Sequence, residues 1–111
     1  MERSSDQSLI SDLWKEHMAA PFPNGFRANE VNGIDLVELD ASVAGCVDTF
    51  LYRGNLNLFQ TAILGLSYRN LSYVLRSLND EGKEYFRRLE RLAELVLKSV
   101  AVKNEELSDD A

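Results

Sequence analysis

The sequence predicts an all-α fold, a compact four-helix bundle-like domain with one long irregular connection, and three observations carry that prediction. Apolar side chains recur three and four residues apart in four separate segments, the spacing that lines one face of a helix. Cap residues stand where such helices should start and stop, with Asp35 before one, Asn55 or Asn57 before another, the latter with Gln60 at N3, and Gly54 after one. The one segment that suggests a strand, Ile34 to Leu39, does not alternate cleanly between apolar and polar residues as a half-buried strand does. With 111 residues and 45% hydrophobic content, the chain is sized for one domain over residues 1–103. Residues 104–111 read as an acidic, disordered tail.

The first helix is expected over residues 6–19, capped by Ser5 or Asp6, with Leu9, Ile10, Leu13, Trp14 and Met18 on its apolar stripe and His17 at the edge. Pro21 stops it. Residues 20–34 carry two Pro and two Asn-Gly pairs with no helical period, and a loop of that length is more often functional than a plain connector. Phe22, Phe26 and Arg27 are its notable side chains. Asn32-Gly33 also suits a hairpin turn, which offers an alternative α+β architecture with a small hairpin at 26–39 packed on three helices. A helix start is the better reading: Asp35 as N-cap, Glu38 at N3, and Ile34 folding over Leu39 as a staple.

The second helix is then expected over 36–53, ending at Gly54 in a left-handed C-cap, with Leu36, Leu39, Val43, Cys46, Val47, Phe50 and Leu51 on one arc. Two or three residues later the third begins, at 57–78, so these two must be antiparallel neighbours. The third segment is apolar or aromatic over most of its circumference and is expected to be the central rod, covered on several sides. Its one stripe without large apolar side chains runs Thr61, Gly65, Arg69, Ser72, Arg76. The fourth helix, at 81–103, sets Tyr85, Phe86, Leu89, Leu92, Ala93, Val96, Leu97 and Val100 opposite a charged face. Leu95 and Val102 fall outside that arc, where they would extend an apolar patch.

Composition excludes several classes of function. A net charge of −6 argues against nucleic-acid binding, which needs a basic surface to neutralise phosphate. Residues 28–52 carry five carboxylates and no Lys or Arg, whereas 49–79 carry three arginines and no acid, a division that favours pairing between segments or between two copies of the chain. No apolar run reaches the ~18–20 residues of a membrane span. One cysteine and no apolar leader read as a cytoplasmic protein without membrane attachment.

No cofactor fingerprint, metal spacing or nucleophile motif appears, so neither catalytic nor cofactor nor metal residues are assigned. Cys46 and His17 are the only thiol and imidazole, and Cys46 sits on an apolar arc without a basic neighbour. Asp35 and Glu38 are accounted for as capping residues. Asp40 points along an apolar arc and needs a partner; counting outward from the turn, Arg69 lies level with it, which predicts an Asp40–Arg69 ion pair. Gly45 and Gly65, each inside a helix, suggest close approach of another group. Tyr52, Tyr68, Arg69 and Arg76 are the residue types that make interface contacts.

The sequence names no biological role. These features together predict a non-enzymatic helical protein–protein interaction module that self-associates as a homodimer. Two alternatives stand beside it: an acidic immunity- or antitoxin-like factor that covers a basic protein partner with the Glu30–Asp48 region, and a small-ligand binder or minor enzyme using the 20–34 loop with His17, Arg27, Tyr68 and Arg69.

Overall fold

The helices that start at Leu36 and Leu58 do so where local chemistry supplies the hydrogen bonds that a helix lacks at its ends. A computed structural model describes residues 5–23, 30–78 and 80–109. It places four helices, α1 (Ser5–Ala19), α2 (Leu36–Arg53), α3 (Leu58–Leu75) and α4 (Asp80–Asp109), in one packed all-α bundle with a minimal hairpin, β1 (Glu30–Val31) and β2 (Ile34–Asp35). Asp35 caps α2 by accepting the Glu38 N–H at 3.0 Å. Gly54 closes the same helix at φ 84°, a left-handed conformation that a Cβ would penalise, and donates its N–H to the Phe50 carbonyl. Asn57 and Gln60 form a reciprocal capping box at the start of α3.

The hairpin and the helix start are both present, and they share a residue. Asn32 (φ 54°) and Gly33 (φ 82°) are both left-handed, as a two-residue type I′ turn requires, and pair Glu30 with Asp35 and Val31 with Ile34. Asp35 then ends the second strand and caps α2 at once, so the sheet stays two residues long. Residues 26–29 of the suggested hairpin lie outside the described residues, as do Phe26 and Arg27.

The central element is α4, which corrects the expectation that α3 is the covered rod. Helices α1, α2 and α3 all pack on α4. Its buried side chains Tyr85, Phe86, Leu89, Leu92, Ala93, Leu95, Val96 and Val100 occupy roughly half the circumference, so Leu95 belongs to the core and not to a surface patch. Helix α3 buries only Leu64, Ser67, Leu71 and Val74. The reason is geometric: how apolar a helix is does not say how many neighbours it has, and α4 is long enough to face three.

Two ends differ from expectation. Helix α3 stops at Leu75 and not at 78, because its last turn tightens, with Ser77 N–H donating to the Val74 carbonyl, and Leu78 drops into the core from outside the helix. Helix α4 continues to Asp109, through most of the segment expected as a disordered tail, since Lys, Glu and Leu are good helix formers and no Gly or Pro intervenes. Residues 110–111 and the Val102 side chain lie outside the description. Among the described residues, no helix is long and apolar enough to cross a membrane.

Candidate functional site

Two features stand apart from the apolar core: a buried polar cluster where α1, α2 and α4 meet, and an exposed apolar face on α3 beside a cleft. The cluster centres on His17, only 3% exposed. Its Nε2 lies 3.2 Å from Asp40 Oδ1, and the Tyr85 hydroxyl donates to Asp40 Oδ2 at 2.8 Å. Arg88 Nε, at 3.4 Å from His17 Nδ1, can only donate; Nδ1 therefore accepts, and the ring proton sits on Nε2, facing the carboxylate. Trp14 stacks on the imidazole at 6.2 Å between centroids, and Tyr85 covers it at 4.5 Å.

Asp40 thus has the partners its inward position demands, but Arg69 is not one of them. The expected Asp40–Arg69 ion pair is replaced by His17 and Tyr85. Counting along the axes placed Arg69 at a plausible level and ignored its direction: it lies roughly opposite the buried stripe of α3, and it is exposed. Tyr85 and Arg88 went unidentified because they come from a helix forty-five residues or more away in sequence.

With both imidazole nitrogens engaged, this cluster fastens three helices together. Cys46 is engaged elsewhere, its thiol donating to the Gln60 carbonyl at 3.6 Å. Burial pushes the Cys46 thiol above its ordinary value, opposite to the lowering that an activated nucleophile shows. Among the described residues, no three His, Cys, Asp or Glu side chains gather in a way that would hold a metal ion. Phe22 packs edge-on against Tyr85 and Phe86, so the described start of the 20–34 loop lies against the core.

The second feature is on the outside. Leu58 (87% exposed), Phe59 (73%), Leu66 (59%) and Tyr73 (51%), together with exposed Ala62, fall on one arc of α3 about 100° wide, opposite its buried stripe. Arg69 lies within this arc towards its Leu58 side, Arg76 follows on the same side at the C-cap of α3, and both are exposed. Beyond the other side lies a cleft of about 320 Å³ between α3 and the start of α2, lined by Asp35, Glu38, Leu39, Ser42, Ile63, Leu66, Ser67 and Asn70 with Gly33 and Ile34 of the hairpin. Leu66 belongs to both. Tyr52, at the end of α2, is exposed as well, whereas Tyr68 is half-buried and packs on the core.

Gly45 and Gly65 do not mark a close approach within the chain, since a Cβ built at either would meet nothing within 4 Å. Ser72, on the weakly apolar stripe, is held by Glu90 of α4 at 2.8 Å. The arginines of the acid-free stretch, Arg53, Arg69 and Arg76, make no ion pair among the described residues, and neither do Glu30, Asp35, Glu38 and Asp48. The charge division visible in the sequence is therefore left unneutralised within the fold. No protein family, no curated protein and no solved structure matches the chain.

Proposed function

We propose that the protein is a non-enzymatic, cytoplasmic interaction module that self-associates as a homodimer through the exposed face of α3. One observation carries the reading: Leu58, Phe59, Leu66 and Tyr73 stand in solvent together on a single helix face, whereas the other large exposed side chains, such as Met18 and Tyr52, are spread over different helices. Scattered apolar side chains on a surface need no explanation, but a contiguous row rimmed by charge is what a docking face looks like. Buried Cys46, without a disulfide partner, suits a reducing compartment.

Sedimentation equilibrium tests this directly. The wild-type chain should dimerise reversibly, and Phe59→Asp with Leu66→Asp should make it monomeric while leaving its helical circular dichroism intact. A wild-type chain that stays monomeric up to several hundred micromolar would remove the proposal. A second reading draws on the exposed carboxylates Glu30, Glu38 and Asp48, which have no ionic partner among the described residues: an acidic module covering a basic protein. Steep loss of such a complex with added salt would favour it.

A further inference from the structure

We infer that the dimer is parallel, with α3 packed on α3 of a second copy about a two-fold axis running along the helices, and that Arg69 of each copy enters the cleft of the other between Glu38 and Asn70. The inference rests on the self-association proposed above and specifies its geometry. It starts from the order of features around α3: arginines towards one side of the apolar arc, the rest of the arc, then the acidic cleft beyond the other side.

Two symmetric ways exist to lay this face on its own copy. If the two helices run antiparallel, the two-fold axis crosses them, and each side meets the same side of the partner: arginine faces arginine and carboxylate faces carboxylate. If they run parallel, the axis lies along them, the sides exchange, and the arginine side of one meets the cleft of the other. Residues then also meet at equal height. Arg69 lies within about 5 Å, along the axis, of the cleft residues Leu66, Ser67 and Asn70, so it arrives level with the partner's cleft.

The cleft is chemically suited to a guanidinium. Glu38 and Asp35 supply carboxylates, Asn70 a side-chain amide, and Ile34, Leu39 and Ile63 an apolar wall for the stem. Ser67 lines the same cleft, and its hydroxyl, which makes no hydrogen bond within the chain, is open to it. A guanidinium carries five N–H donors and no acceptor, which suits a cleft whose carboxylates, hydroxyl and amide oxygen can accept.

A single helix face with its flanks is smaller than the ~800 Å² per partner of a standard interface, so the dimer should dissociate in the micromolar range. Charge reversal tests the pairing. Arg69→Glu alone and Glu38→Arg alone should each weaken dimerisation by about ten-fold or more, because the symmetric interface contains each contact twice and like charges then face one another. The double variant, which restores opposite charges, should recover to within about three-fold of wild type. Glu38 also lies in the first turn of α2, so the thermal melt of each variant is followed to confirm folding.

Orientation is read separately from spin-label pairs. In a Cys46→Ser background, at a concentration where sedimentation equilibrium shows the labelled chain to be dimeric, a label on Phe59→Cys at the end of the face should find its counterpart close by in a parallel dimer. In an antiparallel dimer crossing near Leu66, the two labels would be about 21 Å apart along the axis, from fourteen residues at ~1.5 Å each. A wild-type dimer whose double variant is not rescued, or whose labels show the long separation, overturns this geometry while leaving self-association standing. A wild-type monomer overturns both.

Discussion

Replacing Asp40 with Ala tests whether the buried knot, and not an α2–α3 ion pair, holds the bundle together. The carboxylate accepts from His17 at 3.2 Å and from Tyr85 at 2.8 Å, and these donors are 3% and 9% exposed as residues. Removing it takes this acceptor from two buried donors, at about 1–3 kcal/mol each by the usual cost of a lost hydrogen bond to a buried group. Asp40 itself is partly open to water, its side chain 20% exposed, so water reaching the gap offsets some of the loss and a total near ~3 kcal/mol is expected. Against the ~5–15 kcal/mol that stabilises a typical domain, that is a large share. Urea unfolding followed by far-ultraviolet circular dichroism would register it as a midpoint lowered by about 2 M, at a slope of ~1.5 kcal/mol per molar. Arg69→Ala, measured at a concentration where each chain is monomeric, should cost less than ~0.5 kcal/mol, since the side chain is exposed and makes no ion pair. Equal costs for the two substitutions would refute the reasoning, and so would an Asp40→Ala loss below ~1 kcal/mol.

Burial raises the Cys46 thiol, so the unfolded chain gives up this proton at lower pH than the folded one; the stability it contributes is full below the unfolded value and is lost as pH rises through it towards the folded value. Urea midpoints of wild type and Cys46→Ser should therefore converge as pH climbs into the alkaline range, and a gap that widens would contradict the burial argument. Because nothing approaches within 4 Å of a Cβ at Gly45, Gly45→Ala should stabilise the chain by about 0.5–1 kcal/mol, whereas Gly54→Ala, at φ 84°, should destabilise it by about 1 kcal/mol. Thermal melts of the pair should move in opposite directions.

What the sequence by itself determined is what depends on neighbours a few residues apart. The start of α2 at Leu36 and its end at Gly54 were legible, and the Asn57–Gln60 box was one of two starts the sequence offered for α3, because caps bond within three or four residues. Asp40's need for a partner was legible too, since its direction on α2 follows from the helical period alone. Which partner it finds was not. His17 and Tyr85 reach it only after α1 and α4 have docked, and no count along the chain reports the direction in which another helix turns its side chains.

The same division explains the central helix. Periodicity shows that the segment at 58–78 is apolar nearly all round, but coverage depends on how many helices meet it, and α4 holds that position because it faces three others. Only the tertiary arrangement could decide that Phe59, Leu66 and Tyr73 stay in water beside an acidic cleft, and that Arg69 is left with no carboxylate of its own chain to bind. Burial and charge pairing are properties of surfaces brought together, and surfaces meet only after the chain has folded.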